Sequence, residues 1–430
     1  MLLIHNGTIA DPRTRTIQKA DLFIEDGVIR QIGSGILEKL TGKGEQPQVI
    51  DATGCLVLPG LVDVHVHFRD PGFTYKEDIE SGARAAARGG VTTVVLMANT
   101  RPPVDRVETL QYVLEKGART GIHVESCATI SQGMKGQEAV SMEELQKAGA
   151  RGFTDDGLPL LEEQLVRSVM QEARRLHTVL SFHEEDPALI CNNGINRGKA
   201  SQHFGIGGSP REAEITLVKR DLKLALETGA CVVFQHISTR EAVELIRQAK
   251  AAGGDIHAEA TPHHLTLTEE AAIRYGTLAK MNPPLREEED RRAILEGVKD
   301  GTLDLIATDH APHSREEKER PVTEAPSGII GLETSLSLCY EALVEKEGMP
   351  LLDLLERMAY GPARLYGLDA GYLAQGGPAD LCIFDPRQEF LPTSFASRSQ
   401  NSPFLGQKLQ GRVRCTICRG QIIYQDQSEG

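Results

Sequence analysis

The sequence contains no tryptophan, few aromatic residues of any kind (4%) and no long apolar run. Its longest uninterrupted candidate, Val91 to Ala98, is strand-sized and far short of the ~20 apolar residues that cross a bilayer, so no membrane span is expected. The opening Met1-Leu2-Leu3-Ile4-His5-Asn6-Gly7 lacks a basic stretch and a sustained apolar stretch, which argues against a signal peptide and for a cytoplasmic protein. Basic patches are missing as well. With 47 Lys and Arg against 61 Asp and Glu, the net charge of −14 disfavours nucleic acid and anionic membrane as partners. The eight cysteines are scattered through apolar runs, as in Ala230-Cys231-Val232-Val233-Phe234, and read as buried reduced thiols. The single CxxC, Cys415 and Cys418, lies in a strand-like segment where residues three apart point to opposite faces, so it is not read as a chelating or redox pair. No GxGxxG follows an early strand, which removes the main support for an open dinucleotide-binding sheet. What remains is a 430-residue chain, 40% hydrophobic and 25% charged, with the composition of a compact globular protein.

The two ends of the chain share a strand-rich texture. Leu2 to Ala10, Ala20 to Ile32 around Glu25-Asp26-Gly27, and Gln48 to Val57 read as short strands, as do Ala379 to Asp385 and Val413 to Tyr424 beyond a Ser-rich loop at Ser394 to Pro403. Residues 1–58 and 362–430 are therefore expected to build one β-sandwich together. Between them, in 59–361, short apolar runs alternate with helical patterns. The runs are Leu61 to His67, Val91 to Met97, Ile122 to Ala128, Ala150 to Thr154, Thr178 to Phe182, Ala230 to Gln235, Asp255 to Ala260 and Leu303 to Thr308. Helical spacing occupies Tyr75 to Arg88, Leu161 to Leu176, Arg211 to Glu227 and Arg240 to Ala251. Eight strands with crossovers predict an α/β fold, a (β/α)8 TIM barrel carrying a small β-sandwich.

Barrel enzymes place their chemistry at the C-terminal ends of the strands, and reactive side chains collect there. The first run ends Asp63-Val64-His65-Val66-His67, the fourth Thr154-Asp155-Asp156-Gly157, the fifth Phe182-His183-Glu184, the sixth Gln235-His236-Ile237 and the eighth Ala307-Thr308-Asp309-His310. His65 and His67, two apart on a strand, project from one face and can share an ion. Together with His183, His236, Asp156 and Asp309 they are too many ligands for one tetrahedral ion, whereas two ions about 3.5–4 Å apart would use them all.

These motifs resemble those of the dihydroorotases of the amidohydrolase superfamily over nearly the whole chain. The superfamily likeness rests on the HxH, the later single histidines and the strand-eight Asp. The narrower one rests on Val66-His67-Phe68-Arg69-Asp70-Pro71-Gly72, Met97-Ala98-Asn99-Thr100, Lys280-Met281-Asn282-Pro283-Pro284-Leu285-Arg286 and Thr308-Asp309-His310-Ala311-Pro312-His313. The resemblance implies reversible cyclisation of N-carbamoyl-L-aspartate to (S)-dihydroorotate and water, a step of pyrimidine synthesis. It implies two zinc ions, one on His65, His67 and Asp309 and the other on His183 and His236. A strand-four aspartate would bridge them; Asp155 or Asp156 could serve, and the family's spacing favours Asp156. Many relatives place a carboxylated lysine there, but Ala148 to Gln164 contains no lysine, and the shorter aspartate bears on the affinity of the second site. A hydroxide between the ions would attack a ring carbonyl, with Asp309 carrying the proton to the departing nitrogen. The substrate carboxylate would meet Arg69, Asn99 and His313, the ring Asn282, and one edge Gly328, beside which Ser327 stands where relatives commonly carry Phe.

The remaining histidines are read as structural, with His263 and His264 in a supporting or packing role. Gly194 to Pro210 and Ser314 to Arg320 are read as mobile loops over the site. Two other readings stay in view. An allantoinase or hydantoinase acting on a neutral cyclic ureide would not require Arg69, and a non-catalytic scaffold for aspartate transcarbamoylase would be expected to have lost ligands. A homo-oligomer, such as a dimer, and a complex with aspartate transcarbamoylase are the partners the resemblance suggests.

Overall fold

The computed structural model describes residues 1–44 and 46–427. The N-terminal segment forms strands β1 (Leu2–Asp11), β2 (Thr16–Glu25), β3 (Val28–Gly33), β4 (Gln48–Asp51) and β5 (Leu56–Pro59). Eight short strands follow: β6 (Leu61–Val66), β7 (Val91–Leu96), β8 (His123–Ser126), β9 (Gly152–Phe153), β10 (Val179–Phe182), β11 (Val232–Phe234), β12 (Ile256–Ala260) and β13 (Leu305–Ile306). The C-terminal segment adds β14 (Leu381–Phe390), β15 (Leu409–Cys418) and β16 (Gln421–Gln425).

Strands β6–β8 and β9–β13 form two parallel ladders in chain order. Parallel bridges Ala128–Phe153 and Val66–His310 join them at both seams, so the eight strands close into a barrel. All eight predicted strand positions are occupied. Helices follow the predicted spacing, with ends set by local chemistry. The first begins at Ile79 rather than near Tyr75 because the Asp78 carboxylate accepts from the Ser81 N–H in a capping box. The helix Glu212–Thr228 stops where Gly229 takes a left-handed φ of +67°. Inside the barrel, Val62, Val64, Val95, Cys127, Val179, Val233 and Leu305 pack into one cluster with Ala363, Tyr366 and Ala370. This apolar filling occupies the interior away from the histidine-bearing strand ends, and leaves the polar chemistry to one rim.

The terminal strands form one sheet in the order β16-β15-β14-β5-β1-β2-β3, with β4 beside β1. Side chains of β1, β2, β5, β14 and β15 share a core that includes Ile4, Leu22, Val57, Ile383 and Ile417. The two ends of the chain therefore do assemble together. Two details differ from expectation. Val413 to Tyr424 is a hairpin, turning at Arg419 (φ +51°) and Gly420 (φ +71°), and the helix Ile36–Gly42 packs Ile36 and Leu40 against Leu3 and Phe23. Cys415 packs in the terminal core, whereas Cys418 lies beside Asp380 and His123, so the CxxC is divided between two surroundings.

Candidate active site

The C-terminal rim of the barrel opens into a cavity of about 380 Å³. His67, Arg69, Asn99, Asp156, His183, His236, Asn282, Asp309, His313 and Gly328 all line it. His65 lies beneath, fully buried. Every residue singled out for the site is therefore at one place, although they come from seven of the eight strands or the loops that follow them.

Getting the histidines there requires local departures from regular strand geometry. Val62 and Val64 face the barrel interior, so an uninterrupted strand would turn His65 and His67 away from it. One extra residue in the β6–β7 register between Asp63 and Val66 resets the phase. In β11, Val233 faces inward, and His236 reaches the rim through a φ of +30°. Arg69 (φ +57°) and Asp309 (φ +48°) also occupy the left-handed region that non-glycine residues disfavour, which places backbone strain at the rim. At Gly328, with φ +127°, an added Cβ would lie 2.7 Å from the Ala311 Cβ, so glycine is required there.

Hydrogen bonds fix the direction of the imidazoles. His65 Nδ1 donates to Glu259 Oε2 at 2.8 Å, and His67 Nδ1 donates to Asn99 Oδ1 at 3.0 Å. Both Nε2 atoms consequently turn a lone pair toward carboxylate oxygens. His67 Nε2 is 3.0 Å from Asp309 Oδ1 and 3.4 Å from Asp156 Oδ2; His65 Nε2 is 3.5 Å from Asp156 Oδ1 and 3.6 Å from Asp309 Oδ1. A lone pair facing an anion in a dry site is repulsive unless a cation or proton lies between them. His65 Nε2, moreover, is buried and has no hydrogen-bond partner. On the other side, His183 Nδ1 and His236 Nε2 approach to 3.1 Å, at 3.7 and 4.0 Å from Asp156 Oδ1. The donor set thus fits divalent metal: His65, His67 and Asp309 make one compact group, and His65, Asp156 and His236 another.

Electrostatics agree with that crowding. Burial depresses the basicity of His65, but the Glu259 and Asp156 carboxylates more than reverse the effect and hold it well above the usual histidine range. His183 is similarly raised to about 9 against the burial effect, by Asp156 and Glu185. His236 is held far below it by burial and by the neighbouring His183 and His65. Opposite shifts within one cluster mark a site whose positive charge is concentrated around Asp156.

The two strand-four carboxylates separate clearly. Asp156 sits at the centre, whereas Asp155 accepts from the Ile130 N–H at 2.7 Å, the Ser131 N–H at 3.1 Å and the Ser131 hydroxyl, fixing a loop. Asn99 also donates from Nδ2 to Asp156 Oδ2 at 3.0 Å, so it orients His67 and Asp156 together. His264 bonds Thr261 and the Pro283 carbonyl, a supporting position. The segments read as mobile loops contain the short helices Lys199–Phe204 and Arg315–Lys318. The first is tied by buried Arg286 to Asn196 and Ser209, the second by buried Lys318 to the Pro326 and Gly328 carbonyls.

Two contributors were not anticipated. Glu259 is an acid within β12, on the inward phase opposite Ala258 and Ala260; a carboxylate between two buried alanines was the available signal. Asn401, from the C-terminal Ser-rich loop, accepts from the His313 N–H and donates to the Ala311 and Gly328 carbonyls. Nothing local in the sequence marked it.

A profile of the amidohydrolase family matches residues 56–423. A dihydroorotase of Clostridioides difficile (strain 630) is 52% identical over 424 residues, covering 99% of this chain and 100% of its own. One from Streptococcus pneumoniae is 49% identical over 427 residues with the same coverage. Among solved structures, the L-hydantoinase (dihydropyrimidinase) of Arthrobacter aurescens superposes with a TM-score of 0.86 at 27% identity, over 99% of this chain and 96% of that one. With the barrel, the rim cluster and these full-length likenesses in hand, the chain belongs to the amidohydrolase family and, within it, to the dihydroorotases.

Proposed function

We propose that the protein interconverts (S)-dihydroorotate and N-carbamoyl-L-aspartate as a dihydroorotase of pyrimidine biosynthesis. One observation carries the reading: four imidazoles and two carboxylates converge on a cavity that also presents a half-buried guanidinium, Arg69. His65, His67 and Asp309 would hold one divalent ion, His183 and His236 a second, with Asp156 between them; the nitrogen-rich set suits zinc. When bound, such ions lower the pKa of a coordinated water and polarise the carbonyl it attacks.

The chain's own residues supply position and proton transfer. Arg69, whose Nε donates to the Pro312 carbonyl at 3.3 Å, keeps its remaining N–H groups for the substrate's free carboxylate. Asn282 lines the cavity with its side chain 3.2 Å from His183 Nε2, a position from which its amide can meet the ring. His313 donates to the Ser327 carbonyl at 2.8 Å and holds the Gly328 edge against the cavity. In hydrolysis, Asp309 takes a proton from the attacking water on its carboxylate and returns it to the ring nitrogen as the C–N bond breaks; in cyclisation it performs the reverse. Its strained backbone fixes the carboxylate beside His67 for both steps.

A hydantoinase or allantoinase would leave Arg69 without an anionic partner, and a scaffold would have no use for the intact cluster. Comparative turnover of dihydroorotate, hydantoin and allantoin tests the choice: dihydroorotate is expected to be strongly preferred, and preference for either neutral ureide would overturn it. Dimer formation, association with aspartate transcarbamoylase and a cytoplasmic location belong to the same proposal. Turnover with and without added transcarbamoylase separates an autonomous enzyme from a dependent one. Among the described residues no helix is long and apolar enough to cross a membrane.

A further inference from the structure

The opposite end of the barrel carries a second group of potential ligands. Cys231 immediately precedes β11, Asp255 immediately precedes β12 and His257 is the second residue of β12, so parallel pairing of the two strands brings them side by side. The Cys231 thiol, an Asp255 carboxylate oxygen and a His257 ring nitrogen all lie within 4.8 Å of one another. They open onto a separate cavity of about 330 Å³. Cys231 and His236 are five residues apart along the β11 segment, roughly 16 Å at strand rise, so this group is distinct from the rim cluster.

Three observations favour a metal over a chance grouping. His257 Nδ1 donates to Asp304 Oδ2 at 2.6 Å, which fixes the tautomer and leaves the Nε2 lone pair directed at Asp255. A carboxylate holding the far nitrogen of a histidine is the usual backing of a metal-bound imidazole. Asp304 is in turn held by Lys250 at 2.9 Å, so the backing residue is itself fixed. Finally, His257 Nε2 and Asp255 Oδ1 are 3.4 Å apart, close to the ~3.3–3.4 Å edge of a tetrahedron with metal–ligand distances of about 2.0–2.1 Å. The comparable group His123, Asp380 and Cys418 lacks this arrangement, because its free histidine nitrogen, Nδ1, faces the Arg419 guanidinium at 3.3 Å.

We propose that Cys231, Asp255 and His257 form a second, non-catalytic metal site that takes a borderline-soft divalent ion such as zinc, with its fourth position open to solvent. Binding replaces the thiol proton, which is released to water, and clamps β11 to β12 at the end of the barrel remote from the chemistry. Cobalt(II) is the probe, because a sulfur ligand adds a near-ultraviolet charge-transfer band that the rim's nitrogen and oxygen donors cannot produce. Added to enzyme carrying only the two zinc equivalents of the rim, so that the second site is free, cobalt is expected to produce this band, saturating at about one equivalent, with dihydroorotate turnover unchanged. Cys231→Ser abolishes the band, Cys418→Ser keeps it, and Asp304→Asn weakens cobalt binding 10–100-fold. Should Cys231→Ser fail to fold, Asp255→Asn, at a solvent-exposed carboxylate, is the second variant and is expected to weaken binding at least tenfold. No sulfur band in the wild type, a band retained in Cys231→Ser, undiminished affinity in Asp255→Asn, or loss of the band in Cys418→Ser overturns the proposal.

Discussion

Replacing Glu259 by Gln isolates the contribution of one buried charge to the rim. Glu259 and His65 are both fully buried, 2.8 Å apart, and the same carboxylate oxygen accepts from the His236 N–H at 3.3 Å. The amide oxygen of Gln can keep both bonds and therefore the His65 tautomer, so the main loss is the carboxylate's charge. A hydrogen bond to a charged group contributes about 1.5–3 kcal/mol and a neutral one about 0.5–1.5, a difference of roughly 1–1.5 kcal/mol. That equals about a tenfold weaker metal affinity, at the lower end of the ~10–100-fold found for partners of metal-bound histidines. The new amide NH2 replaces Glu259 Oε1, a buried atom that already lacks a protein partner, so the effect on the fold is only the difference between two unpaired polar groups. Zinc affinity by chelator competition and thermal unfolding separate the two effects. Turnover should recover when zinc is raised well above the weakened Kd. Unchanged zinc affinity, or a loss of turnover that excess zinc does not restore in a folded variant, would refute the role given to Glu259.

Three further perturbations address other links. Asp309→Asn removes the proton carrier and should lower kcat by about 10²–10⁴-fold without unfolding the protein; near-normal kcat in steady-state assays with excess zinc would rule out Asp309 as that carrier. Arg69→Met should raise KM for dihydroorotate by roughly 30–150-fold, the equivalent of about 2–3 kcal/mol of charged hydrogen bonding, and a much smaller change would remove Arg69 from carboxylate recognition. In the terminal sheet, Asp21 accepts from the Asn6 and Ile36 N–H groups and from His5. Burial opposes its ionisation, but these donors hold its carboxyl below the ordinary value of 3.8. A folded-state pKa depressed in this way stabilises fully above the unfolded value of about 4, and the contribution disappears as pH falls through the folded one. Asp21→Ala should therefore cost about 1–3 kcal/mol at pH 7, with the gap to the wild type closing in acid; a gap independent of pH in denaturant titrations would contradict the assignment.

The barrel was legible because its alternation of short apolar runs and amphipathic helices is a property of local sequence, and all eight runs became strands. The rim residues were legible as ligand types at strand ends. Their orientation was not. Simple alternation from Val62 and Val64 would point His65 and His67 the wrong way, and the correcting bulge depends on pairing with β7, a partner about thirty residues away. The same limit applies to His236 and Asp309, whose left-handed backbone is imposed by surrounding structure rather than by their own preferences. Glu259 and Asn401 act through contacts 194 and 88 residues away in sequence, beyond any spacing rule. At the other end of the barrel, Cys231 had the appearance of an ordinary buried thiol until β12 placed Asp255 and His257 beside it.

Metal content measured alongside turnover decides whether the rim assembles around divalent cations. Purified protein should contain two zinc ions at the rim, lose dihydroorotate hydrolysis when a chelator strips them, and regain it in proportion to zinc restored. Full turnover by protein shown to be free of metal would mean that the rim works without cations.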